Sequence, residues 1–172
     1  TAAVLALAVP AAADEITVTP SKDNTLYESG TGSLSNGAGD HLFAGRTNQS
    51  SGSVRRGLVA FDLSSIPAGS TVNAVTLVLN MSRTNAGAHT VSLHRVSSDW
   101  GEGDSDATGG EGDGAAAETG DATWLHTFYD SEQWGAPGGD FDGAPSASTS
   151  VSGTDSYTWG SSSGMVGDVQ GW

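Results

Sequence analysis

The chain has 172 residues, with twenty acidic side chains against six basic ones and a formal charge of −14. That charge repels phosphate backbones and anionic lipid surfaces, which argues against nucleic acid or a membrane as partner. There is no cysteine, so no disulfide staples the fold; stability has to come from a packed core, for which this length suffices.

The first ten residues are apolar and uncharged, and three alanines at 11–13 precede Asp14 and Glu15. An apolar run ending in small residues reads as the remnant of a secretory signal peptide, cleaved after Ala13. It is too short to cross a bilayer as a helix. Residues 14–172 are therefore expected to be one exported module. Glycine, serine and threonine crowd the sequence and helical periodicity is absent. Many short alternating segments between turn residues predict an all-β fold, an antiparallel sandwich.

Ile16 and Val18 alternate with threonines as a first strand, and residues 25–28 form a short second one. Residues 29–40 are a turn-rich loop with Asn36-Gly37 as its sharpest turn signal. Residues 41–46 are strand-like and 47–53 polar. The organising stretch is 55–81. In its first half Val59, Phe61 and Leu63 share one face, with Arg56, Leu58, Ala60 and Asp62 on the other. In its second half Val75, Leu77, Leu79 and Met81 oppose Ala74, Thr76, Val78 and Asn80. Proline and glycine at 64–70 supply a turn between them. This predicts a strand pair that nucleates the core, with Arg56 on its outward face beside Asp62. Val91 and Leu93 face inward in the next strand, 90–96. Arg95 shares that face and would need a carboxylate partner.

Residues 99–142 hold twelve carboxylates and no lysine or arginine. Trp100, Trp124, Phe128, Tyr129, Trp134 and Phe141 are spread through them. Aromatics at that density predict a long acidic, glycine-rich loop packed onto the sandwich, with a strand or helical turn at 121–128. Residues 146–152 and 156–159 suit strands. Val166, Val169 and Trp172 follow helical spacing, as the opening of a short helix.

Several segments, KDNTLYES (22–29), LSNGAGDHLFAGRT (34–47), RRGLVAFDLSSIPAGSTVNAVTLVL (55–79), VSLHRVSSDWGEGDSDA (91–107), GDATW (120–124), W-x-x-PGGDF (134–141) and DVQGW (168–172), carry a family resemblance. The chain resembles DNRLRE-domain proteins, a family related to the carbohydrate-binding module of disaggregatase and similar secreted proteins. The resemblance implies a jelly-roll-like β-sandwich outside the cell, joined to other modules of a longer protein. It also implies a further turn and strand after the position of Trp172, so the C-terminal strand is expected to be missing from residues 14–172.

Three chemistries are open. Asp104, Asp106, Thr108 and Gly109 match the first half of an EF-hand loop, but Ala115 stands where the bidentate glutamate belongs. That leaves an irregular calcium site from Asp99, Glu102, Asp104 and Asp106 as a candidate, against a plain solvated loop. Asp23, Asn24 and Asp40 form a weaker second group. For carbohydrate, sugar rings lie on aromatic faces while carboxylates and amides bond their hydroxyls. Trp159, Tyr129, Trp124, Trp134 and Trp100 are the candidates, each with a competing role as a core anchor. Neutral polysaccharide suits so acidic a chain better than anionic glycans. Catalysis has no signal. No nucleophile elbow or paired-histidine spacing occurs, and among twenty acids some carboxylate pair always satisfies a glycosidase by accident. The expectation is a secreted non-catalytic module that attaches to polysaccharide or a cell-surface glycan. The alternative is a structural or adhesive domain without a sugar site.

Overall fold

Two apolar clusters organise the chain in a computed structural model that describes residues 14–172. The signal-peptide reading falls on residues 1–13 and lies outside the described residues. The strands, in chain order, are β1 Pro20–Tyr27, β2 Leu34–Ser35, β3 Gly45–Arg46, β4 Val54–Phe61, β5 Leu77–Met81 and β6 His89–Leu93. After the start of the acidic segment come β7 Ala115–Ala116, β8 His126–Phe128, β9 Glu132–Gln133, β10 Ala147–Val151 and β11 Asp155–Trp159, then the helix α1 Ser163–Gly171. The fold is all-β and its ladders are antiparallel, as composition and patterning predict. One ladder has the order β1-β4-β3; β6 pairs β10, β5 pairs β11, β2 pairs β7 and β8 pairs β9.

The first cluster sits on the β1-β4 ladder. The register sets Leu26 opposite Arg56, Asn24 opposite Leu58 and Lys22 opposite Ala60, so these side chains share one face. Leu26 and Leu58 are buried there under Trp100, Ala122 and Trp134, with Ala60, Val96 and Trp124 at the margin. The roof is thus the acidic segment. It is ordered and packed, as the spread of aromatics predicts. Each large apolar side chain so buried contributes roughly 1.5–3 kcal/mol.

That roof corrects the expected face of β4. The side of Leu58 and Ala60 points inward and Arg56 goes with it. Its guanidinium lies 5.0 Å from the Trp124 ring centroid and 4.8 Å from that of Phe141. It also donates to the Gly138 carbonyl. Two ring faces and a carbonyl make the charge tolerable off the solvent.

Nor do β4 and β5 pair with each other. β1 and β3 hold the edges of β4, while β5 bonds β11. Residues 14–19 are not a strand, and Ile16 is exposed. The strand starts at Pro20 and absorbs residues 25–27 of the expected second one, leaving Glu28 outside. The strand expected at 41–46 shortens to Gly45–Arg46.

The second cluster lies between the β5-β11 and β6-β10 ladders. Val151, Trp159 and Met165 are its buried members, with Leu77, Leu79, Met81, Val91, Leu93 and Tyr157 packed on them. The expected inward faces of residues 75–81 and 91–93 are the observed ones, and Val78 and Asn80 point outward. The Trp159 Nε1–H donates to the Val91 carbonyl at 3.0 Å and ties one ladder to the other. Helix α1 starts at the extended Ser162, whose Oγ accepts from the Met165 amide at 3.1 Å. Gln170 then pins the helix to the preceding loop: its Oε1 accepts from the Val72 amide at 2.8 Å and its Nε2 donates to the Ser70 carbonyl at 3.2 Å. Among the described residues no helix is long and apolar enough to cross a membrane.

Candidate functional site: a polar groove between β1 and β5

Buried polar residues of β1 fix the walls of a groove. Asn24 is fully buried; its Oδ1 accepts from Ser35 Oγ at 3.0 Å and from the Asn36 amide at 3.2 Å. Its Nδ2 donates to the Glu102 carbonyl at 2.7 Å. The neighbouring Asp23 amide donates to Glu102 Oε1 at 2.9 Å. Asp23 therefore stands beside a second acid. Burial, and then the charge of Glu102, push its carboxyl above the usual aspartate range.

The facing loop is held by Glu111. Its carboxylate accepts from Asn36 Nδ2 and from the His41 amide, both at 3.0 Å, and meets His41 Nδ1 at 3.2 Å. Burial opposes ionisation of Glu111, but these bonds outweigh it and hold the carboxyl below its ordinary range. Its backbone sits at φ 57°, a left-handed conformation that a glutamate rarely adopts. The Tyr27 hydroxyl donates to the Glu111 carbonyl at 2.9 Å, and burial pushes that phenol up to about 12.

Between these walls lies a cleft of about 210 Å³ lined by Asp23, Asp40, His41, Leu42, Leu79, Asn80 and Ser82. It presents two carboxylates, an imidazole, an amide and a hydroxyl around leucine side chains. No lysine or arginine lines it. Such a lining can accept from and donate to ligand hydroxyls while apolar C–H surface rests on the leucines.

The aromatic candidates lie elsewhere. Trp100, Trp134 and Trp159 are buried in the two clusters. The Trp134 indole donates to the Thr123 carbonyl at 2.8 Å, and Trp100 carries the Lys22 ammonium 4.4 Å from its centroid. Trp124 is half-buried beside Arg56, and Tyr129 meets the His126 ring edge-on at 5.2 Å. The calcium candidates spread apart. Asp99 pairs with Lys22 at 2.9 Å, Glu102 caps the Asp23 amide, and Asp104 and Asp106 are exposed. Among the described residues, no three histidine or carboxylate side chains are placed to hold a metal ion. Of the weaker group, Asp23 and Asp40 do meet in the groove, while Asn24 turns inside.

The ion pairs among the described residues are Lys22–Asp99 and His41–Glu111. Arg95 is in neither; half-buried, it keeps access to water instead of the expected carboxylate. His41, Asn80 and Ser82 were not singled out by sequence reasoning. Only Asn80 left a trace, as a polar side chain on the outward face of an alternating strand.

Fold and groove define an antiparallel all-β protein with a small polar cleft at the junction of two ladders. Comparison of the chain with protein-family models, with curated proteins and with solved structures returns no match.

Proposed function

We propose that the chain is an exported, non-catalytic polysaccharide-binding module that holds neutral glycan in the groove between β1 and β5. The observation that supports this is the lining itself. Asp23, Asp40, Asn80 and Ser82 offer hydrogen-bonding groups around Leu42 and Leu79, with no lysine or arginine in the lining to recruit an anionic sugar. The apolar leader at 1–13 and the resemblance to DNRLRE-domain proteins agree with a role outside the cell. The structural or adhesive alternative draws on a different observation, the burial of Trp100, Trp134 and Trp159, which commits three aromatic rings to packing.

Affinity electrophoresis through gels containing β-glucan, xylan or mannan separates the two. The wild-type chain is expected to be retarded by at least one of them. Asp40→Ala and Asn80→Ala are each expected to weaken binding about two- to tenfold, the value of one hydrogen bond of about 0.5–1.5 kcal/mol. Both residues are exposed, so the melting midpoint should stay put. No retardation in any gel, or variants indistinguishable from wild type, overturns the proposal.

A further inference from the structure

We propose that Arg56, with Trp124 and Phe141, forms a site for one carboxylate carried on a pyranose ring. The choice of a sugar as carrier rests on the polysaccharide reading, but the site uses none of the groove residues. The glycan it selects is a mainly neutral polymer bearing isolated acidic substituents. The Arg56 guanidinium lies 5.0 Å from the Trp124 ring centroid and 4.8 Å from that of Phe141. Its Nη1 donates to the Gly138 carbonyl. Nε and Nη2 take no partner among the described residues, and neither is sealed from water. Together they form the edge of a planar fork, two parallel N–H groups of the shape that holds a carboxylate through two bonds.

The fork is fixed in place. Phe141 is tied to Val96 by a β-bridge, and the His94 ring meets it edge-on at 5.3 Å while donating from Nδ1 to the Asp142 carbonyl at 2.8 Å. The turn carrying Gly138 comes so close that a Cβ there would lie 2.5 Å from Arg56 Nη1 and 2.9 Å from the Trp124 ring. No acid of the chain fills the fork. Among the described residues no carboxylate lies within ion-pair distance of Arg56. Asp140, next to Phe141, accepts from the Gly135 and Ala136 amides at 2.8 and 3.1 Å and from Ser98 Oγ at 3.3 Å. Asp142, on the other side, is exposed to water. Glu28 accepts from the Val54 amide at 2.9 Å. Burial lowers the Arg56 pKa from its ordinary value, and the charge of Glu28 offsets this only in part. A cation half-withdrawn from water and left without a counter-ion gains from an anion supplied by a ligand.

The rings beside the fork define what carries the anion. Phe141 is 40% exposed and Trp124 is half-buried, so apolar surface remains open next to the guanidinium. The C–H face of a pyranose can lie on that surface while its carboxylate meets Nε and Nη2. A neutral sugar offers the fork only hydroxyls and forgoes the charge-assisted pair. A polymer with an acid on every residue is repelled by the net charge of −14. What remains is a single carboxylate on an otherwise neutral chain. Two substituents supply it, a uronic-acid branch and a pyruvate ketal bridging two hydroxyls of one ring.

The test is a titration of the isotope-labelled chain, followed through the Arg56 Nε–H resonance, assigned by correlation to its own backbone amide, and through the Asn80 side-chain amide of the groove. The probes are methyl glucuronide, methyl glucoside bearing a 4,6-pyruvate ketal, plain methyl glucoside, acetate, and neutral hexasaccharides of β-1,4-glucan, β-1,4-xylan and β-1,4-mannan. At least one acidic glycoside is expected to move the Arg56 signal, and whichever moves it names the source of the carboxylate. Plain glucoside and acetate are each expected to bind there about tenfold more weakly. Arg56→Lys keeps the charge and loses the fork, and is expected to weaken the acidic glycoside about tenfold. The comparison of ligands on the wild-type chain stands whether or not that variant folds. Plain glucoside or acetate matching the acidic glycosides overturns the site, as does an Arg56 signal that neither acidic glycoside moves. Movement of Asn80 by a hexasaccharide, with Arg56 silent to both acids, removes this site and leaves the groove standing. Movement of Arg56 by an acidic glycoside, with Asn80 silent to every hexasaccharide, removes the groove and supports this site.

Discussion

Glu111 holds the loop that brings His41 to the groove, so its removal has a calculable cost. Glu111→Ala deletes the acceptor for the His41 amide, for His41 Nδ1 and for one of the two Asn36 Nδ2 bonds. His41 Nδ1 is open enough to find water, and Asn36 Nδ2 keeps its bond to the His41 carbonyl at 3.1 Å. The main loss is the His41 amide and a charge-assisted share of Asn36, about 2–4 kcal/mol for donors stranded from a charged acceptor. At about 2–4 °C per kcal/mol for a chain of this size, a loss of about 3 kcal/mol lowers the melting midpoint by about 6–12 °C.

The positive φ of Glu111 gives an internal control. Glu111→Gly loses the same bonds but relieves a left-handed backbone worth about 1–2 kcal/mol, so it should melt above Glu111→Ala. The pH dependence has a definite sign. The folded carboxyl lies below its ordinary range, so its stabilisation is complete above the unfolded glutamate pKa of about 4.3 and is lost as pH falls through the folded value. Scanning calorimetry at pH 7 should show the full gap between wild type and Glu111→Ala, and the gap should close in acid. A gap of the same size at low pH, or Glu111→Gly melting below Glu111→Ala, would refute this account of the loop.

Gly103 has φ 74°, and a Cβ there would overlap the Asp121 carboxylate, whereas Gly109, at φ 73°, faces open space. Gly103→Ala should therefore cost more than about 3 kcal/mol in urea titration and Gly109→Ala only about 1 kcal/mol; equal costs would mean that the acidic segment is not packed as described. The Tyr27 phenol, pushed up to about 12, favours the folded state while neutral. Stability should then fall as pH rises above the unfolded tyrosine value of about 10, and Tyr27→Phe should remove that part of the alkaline loss seen in unfolding titrations. Calcium and a chelator should give the same melting midpoint, because Asp99 is engaged by Lys22 and Glu102 by the Asp23 amide; a midpoint raised by calcium would show that these carboxylates regroup around an ion.

What could be seen in the sequence follows from how many faces of each strand are buried. Residues 77–81 and 89–93 bury one face only, so Leu77, Leu79, Met81, Val91 and Leu93 stand out by alternation. The same holds in outline for Ala147–Val151 and Asp155–Trp159. β1 was read only at its end, from residue 25 on, because its buried stretch begins with Asn24 and Thr25, polar side chains satisfied by bonds to residues far along the chain, before Leu26 and Tyr27. β4 misleads for a related reason. Arg55 lies 4.8 Å from the Tyr27 ring on one face, and Arg56 lies between Trp124 and Phe141 on the other. A charged residue marks neither face as outward there. Aromatic residues were visible as a set, but chemistry alone does not distinguish a buried anchor from a platform. The groove was the least legible feature, since it assembles Asp23 of β1, Asp40, His41 and Leu42 of a loop, Leu79 and Asn80 of β5, and Ser82 just beyond it.

The roofing of the β1-β4 ladder by the acidic segment also sets an order of events as the chain folds. Lys22 closes on Asp99, Asn24 on Glu102, Tyr27 on Glu111 and Arg56 on Gly138. Closing loops of that length costs chain entropy before any contact repays it, which makes folding slow. A ribosome must therefore deliver the chain at least as far as Trp134 before the hairpin-like first ladder can be sealed. Until then Leu26 and Leu58 face water, and a nascent chain at that stage is the form most exposed to proteases and to chaperones.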